Sequence, residues 1–153
     1  FTAIKETEYN LHLLTINDFN VTTDGQPMGL RLSNGSFITS GYKWAMQINQ
    51  GNGTTDEAKS TGASYLEVNR FNGTNTNEKA NAYVYLYNLG DSTKYSFTTS
   101  HATATLEYSA RYGTEFGSGV RPTADQISGI RLCSTSGNIT VQAVSLYGIK
   151  EYS

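Results

Sequence analysis

The stretch "AYVYLY", residues 82–87, sets Ala82, Val84 and Leu86 against Tyr83, Tyr85 and Tyr87 in strict alternation. Successive side chains of a β-strand point to opposite faces of the sheet, so the small and aliphatic set marks a core face and the tyrosines mark the other. The run therefore predicts a strand with one face in the interior. It also asks what the tyrosine face touches.

Outward from this run the periodicity stays at two. "YNLHLLTINDF" (9–19) alternates through Tyr9, Leu11 and Leu13 and then slips at Leu13-Leu14, which predicts a bulge. "MGLRL" (28–32) and "YKWAMQI" (42–48) alternate cleanly, the second with Tyr42, Trp44, Met46 and Ile48 on one face. The polar segment 49–63 reads as a loop, within which "TTDEAKS" (54–60) suits at most one helical turn. "SYLEVNRF" (64–71), "YSFTT" (95–99), "ATATLEYSARY" (102–112), "ISGIRLC" (127–133) and "ITVQAVSLYGI" (139–149) complete the set. Eight to nine short strands at even spacing, joined by Asn-Gly, Gly-Asn and Asp-Gly turns, predict an all-β fold. The expected architecture is an antiparallel β-sandwich of jelly-roll type, with the first and last strands side by side. Residues 1–153 are expected to form one domain, excerpted from a longer chain.

The totals narrow the function. A chain of 153 residues can bury a sufficient core without disulfides or metals. Its formal net charge of -2, with no Lys/Arg cluster among the aromatics, lacks the cationic term that dominates nucleic-acid affinity, so no nucleic-acid partner is expected. No apolar run is long enough to span a bilayer as a helix, so no membrane insertion is expected. The lone Cys133, in "IRLC", reads as a buried small hydrophobe.

The chemistry-bearing residues form no recognisable motif. Glu67, Glu107, Glu115 and Asp125 are the carboxylates a hydrolase would draw on; Glu107 alternates with apolar neighbours, Glu115 lies in the apparent loop "GTEFGSGV", and Asp125 lies in a turn, which predicts solvated positions and no catalysis. His12 and His101 lack zinc-ligand spacing and read as half-exposed strand residues. Asp18, Asp24 and Asp56 fall in loops without the Asp-x-Asp-x-Asp pattern of a calcium loop. No metal and no cofactor are expected.

The aromatic content stands out. Eleven tyrosines and one tryptophan exceed what one core needs, and tyrosine offers wide, rigid contact area with a polar tip. Three readings of Tyr83, Tyr85 and Tyr87 stay open: they lie under a loop such as 49–63, they form a subunit interface, or they stack on sugar rings while Arg70 or Arg111 bonds to hydroxyls. The same readings apply to Tyr42 and Trp44, for which the alternation makes core the simplest.

The C-terminal run "ISGIRLCSTSGNITVQAVSLYGIKEYS" resembles the end of a group of bacteriophage virion proteins that close with an isoleucine-rich strand, a Ser-Gly-Asn turn and a strand ending Ser-Leu-Tyr-Gly-Ile. Here these are Ile127, Ile130 and Leu132, then Ser136, Gly137 and Asn138, then Ser145 to Ile149. The opening "FTAIKETEYNLHLL" is similar to the first strand of that group, and the middle of the chain is similar only in strand layout, "GYKWAM" and "AYVYLYN". The resemblance implies a non-enzymatic structural module on the exterior of a phage particle, homo-oligomeric and by preference trimeric, in contact with other virion proteins. It implies a tail-fibre or spike domain that attaches to a host-surface glycan. A capsid decoration protein and a carbohydrate-binding module of a polysaccharide-degrading enzyme are the alternatives.

Overall fold

The computed structural model describes residues 1–106 and 111–151, and every regular element among them is a β-strand. In chain order these are β1 (Leu11–Val21), β2 (Gln26–Ser33), β3 (Tyr42–Gln50), β4 (Thr55–Ala63), β5 (Leu66–Asn72), β6 (Ala80–Tyr87), β7 (Ser96–Leu106), β8 (Arg111–Arg121), β9 (Gly129–Cys133), β10 (Ile139–Thr140) and β11 (Ala143–Ile149). They form two antiparallel sheets. The larger runs β10-β1-β6-β7-β8-β3-β4, with β11 also pairing β1, and the smaller runs β5-β2-β9. The first and last strands lie side by side as expected, Leu14 opposite Leu146.

One apolar cluster fills the space between the sheets. Leu14 and Ile16 of β1, Val84 and Leu86 of β6, and Trp44, Met46 and Ile48 of β3 face Met28, Leu30 and Leu32 of β2, Leu66 and Val68 of β5, and Ile130 of β9. Each fully buried aliphatic side chain here contributes about 2 kcal/mol by leaving water. Tyr42 is core as well. Its hydroxyl accepts from the Leu32 N–H (2.8 Å) and donates to the Ile38 carbonyl (3.3 Å), and burial pushes its pKa up to about 12. Tyr42→Phe leaves both backbone groups without that partner and is expected to cost about 1–2 kcal/mol in urea unfolding, with an unchanged m-value.

Four sequence expectations are corrected. In β1 the core face is His12, Leu14 and Ile16, so Leu11 and Leu13 point outward; the pairing with β6 is regular from Leu11 to Ile16, and its shift falls between Ile16 and Phe19, where Asp18 adopts a positive φ of 53°. The slip expected at Leu13-Leu14 is absent because a buried histidine occupies a core position. Segment 49–63 is no cover for the tyrosines: residues 55–63 are the edge strand β4, hydrogen-bonded to β3, and a polar edge strand carries no apolar alternation to announce it.

"GTEFGSGV", read as a loop, is the middle of β8. Gly119 sits where β5 crosses closely over the larger sheet: a Cβ there would collide with Leu66 Cδ2 and stand 3.0 Å from Thr98 Oγ1. Finally, His12 is fully buried, its Nε2 2.9 Å from the Ile4 carbonyl and its ring edge-on to Tyr9. Cys133 is buried, as its sequence context predicts.

Candidate functional site

The outer face of the larger sheet is where the aromatic excess collects. The register places residues in rows across neighbouring strands. Thr15, Tyr83, His101, Phe116, Gln47 and Glu57 form one row; Leu13, Tyr85, Thr99, Ser118, Ala45 and Lys59 the next; Leu11, Tyr87, Phe97, Val120 and Lys43 the third. Beyond Leu13 and Leu11, β11 adds Tyr147 and Ile149. The smaller sheet packs against the opposite side, and no loop among the described residues seals these rings.

Exposure confirms this. Tyr83 is 44% exposed, Phe97 45%, Phe116 48% and Tyr147 53%, while Tyr85 and Tyr87 are half-buried by one another and by their neighbours. The rings are held in place. Tyr83 meets Tyr85 edge-on at 6.1 Å between centroids, and His101 stacks flat on Phe116 at 4.4 Å. The His101 Nδ1 lies 3.2 Å from the Tyr83 hydroxyl, and the Tyr87 hydroxyl lies 3.2 Å from Thr99 Oγ1. Contacts of this kind fix side chains that would otherwise lose rotamer freedom on binding.

Between the rings runs a trough. Its floor is Thr99, Ser118 and Ala45, small side chains in register on β7, β8 and β3, walled by Phe97 and Val120 on one side and His101 and Phe116 on the other. The depression beside Phe97, about 520 Å³, reaches Lys43 and Lys59; the one beside Phe116, about 510 Å³, shares Ala45, Ser118 and Lys59 with it and reaches Glu57. Among the described residues Lys43 and Lys59 make no ion pair.

The predicted site residues divide. Tyr83, Tyr85 and Tyr87 stand together on this face, and none of the three is covered by segment 49–63. Tyr42 and Trp44 point into the core. Arg70 lies on β5 in the smaller sheet, remote in topology from the tyrosines, with its guanidinium 3.4 Å from Glu67 and over the Phe71 ring. The side chain of Arg111 and the whole of Glu107 lie outside the described residues. Sequence reading missed Phe97, Phe116, Leu11, Leu13 and Lys59 as members of the face. Phe97 and Tyr95 share one parity in "YSFTT", and that alternation was the available signal for Phe97.

A second, polar cluster gathers around β5. Glu115, fully buried, accepts from Asn69 Nδ2 (2.8 Å) and from the Arg70 backbone N–H (2.7 Å). Glu67, nearly as buried, meets Arg70 and the Tyr65 hydroxyl, each at 3.4 Å. Removal from water pushes both carboxyls up to about 7, with Arg70 pulling the other way in each case. Both were expected to be solvated; instead, Glu115 fills a core-facing position of β8. Asp125 sits 3.5 Å from Arg121 and accepts from Asn34 Nδ2 (3.1 Å). No three metal-ligating side chains converge among the described residues.

Set against protein-family models, curated proteins and solved structures, the chain matches none.

Proposed function

We propose that this protein is a non-enzymatic structural module of a phage virion surface, of the tail-fibre or spike kind, and that the outer face of its larger sheet attaches to host-surface glycan. The observation that supports this reading is the outward face itself: rigidified rings on adjacent strands, open to solvent, flank a floor of hydroxyl-bearing and small side chains. Sugar rings present apolar C–H faces and a rim of hydroxyls, which such a surface matches with ring stacking and short hydrogen bonds. The C-terminal resemblance supplies the virion location, and the homo-oligomer, trimeric by preference, comes from the same source.

Glycan attachment has a direct test. Labelled protein on an array of surface oligosaccharides is expected to bind a restricted set, and Tyr83→Ala combined with Phe116→Ala is expected to weaken that binding at least about tenfold, or 1.4 kcal/mol, without loss of folding. An array that stays blank at millimolar sugar contradicts the reading.

A second reading rests on the other half of the face. Towards the β11 edge, Leu11, Leu13, Tyr147 and Ile149 offer hydrocarbon with few polar groups, which suits another protein surface better than a sugar. On that reading the module is a decoration protein locked between capsid subunits. Its mark is a copy number in the hundreds per particle and heads that burst more easily when it is lost.

A further inference from the structure

The trough on the outer face has features that go beyond a general affinity for sugars. It begins at Tyr85 and Tyr87 on β6, crosses β7, β8 and β3 over Thr99, Ser118 and Ala45, and ends at Lys59 on β4. Four strand spacings of about 4.8 Å make this path roughly 19 Å long. Its walls, Phe97 and His101, are four residues apart on one strand, about 13 Å at strand rise, so one chain of pyranose rings fits between them. A short linear oligosaccharide is the shape that fills it.

Charge then selects among oligosaccharides. Lys43 and Lys59 both line the depression beside Phe97, both are exposed, and neither has an anionic partner within ion-pair distance among the described residues. Two ammonium groups that line one depression of the trough complement a carboxylate on the ligand. The acidic group in reach, Glu57, lies in the neighbouring depression beside Phe116, where its carboxylate is placed to accept from sugar hydroxyls.

We infer that the trough is a subsite for a linear acidic saccharide, a uronic-acid-containing oligosaccharide lying across β7, β8, β3 and β4 with a carboxylate at Lys43 and Lys59. The inference rests on the glycan-attachment reading and specifies its ligand. Phe97 and Phe116 supply the stacking surface, Thr99 and Ser118 bond to hydroxyls, and the lysines discriminate acid from neutral sugar.

The test titrates the full chain by calorimetry with trigalacturonic acid and with neutral galactotriose of the same linkage. The expected result is at least about a tenfold preference for the acid at low salt, shrinking as salt is added. Lys43→Ala with Lys59→Ala should bring the two affinities to within about twofold while the protein still binds, and Phe97→Ala should weaken both. All three positions are exposed, so the variants are expected to fold, and thermal unfolding checks this. Equal affinity of the wild type for both probes, or a preference that survives the double lysine variant, overturns the acidic subsite and leaves glycan attachment standing. Binding of neither probe up to about 10 mM, beside an array that also stays blank, overturns both.

Discussion

Stability is expected to fall by several kcal/mol as pH rises from 5 to 8, because Glu115 and Glu67 are carboxyls that the fold prefers to keep neutral. Both are pushed up to about 7 from an ordinary value of 4.5. A carboxyl raised on folding contributes its stabilisation fully below the unfolded value, loses it as pH climbs between about 4.5 and 7, and has none left above the folded value. Each carboxyl is worth about 3 kcal/mol over that window. Opposing acid-range effects come from Asp91, held down to about 2 by Thr93 and Lys94 on the exposed surface, and these lie below pH 5.

Glu115→Gln isolates the effect. Asn69 Oδ1 is buried without a partner beside Glu115, so turning the Asn69 amide over presents an oxygen to the new Gln Nε2 while the Gln Oε1 keeps the Arg70 N–H. The variant is therefore expected to match the wild type within about 1 kcal/mol at pH 5 and to exceed it by about 1–3 kcal/mol at pH 8. Urea unfolding at pH 5, 6, 7 and 8 measures both curves. A flat wild-type profile contradicts the assignment.

The second large effect is steric. Gly119→Val puts branched methyls against Leu66, which is 1% exposed and cannot move aside, and against Thr98 Oγ1 and the Lys43 carbonyl, 3.0 and 3.3 Å from where a Cβ would sit. The close crossing of β5 over β8 must open, at a cost expected to reach about 3 kcal/mol or more. Ser118→Val, one residue earlier on the outer face, serves as the comparison and is expected to change stability by less than about 0.5 kcal/mol. Parallel thermal unfolding of the two variants distinguishes a tight inter-sheet contact from a general intolerance of β8 to valine.

Much of this architecture was legible in the sequence, and the gaps have physical causes. "AYVYLY" and "YKWAMQI" announce their faces because a core side and a bare side differ sharply in residue type. β8 hides because its inward position 119 had to shrink to glycine beneath β5 and because a buried carboxyl, Glu115, takes the place of a hydrophobe. β4 hides because an edge strand is stabilised by its neighbour's backbone and needs no apolar stripe. In β1, leucines on both parities concealed which set was inward, and only the packing of His12 under Ile4 decides it. The candidate face was half legible for a related reason. Tyr83, Tyr85 and Tyr87 declare themselves on one strand, whereas Phe97, Phe116, Lys43 and Lys59 join them only through the pairing of five strands.

The described residues leave this face open, and the proposed attachment requires that a ligand cover it. Hydroxyl-radical footprinting, read residue by residue, checks both halves of that statement. In the isolated protein Tyr83, Phe97 and Phe116 are expected to oxidise readily while Tyr42 stays protected, and saturating acidic oligosaccharide is expected to slow Phe97 and Phe116 several-fold. Rings already protected in the isolated monomer, or rings whose oxidation is unchanged at saturation, contradict it.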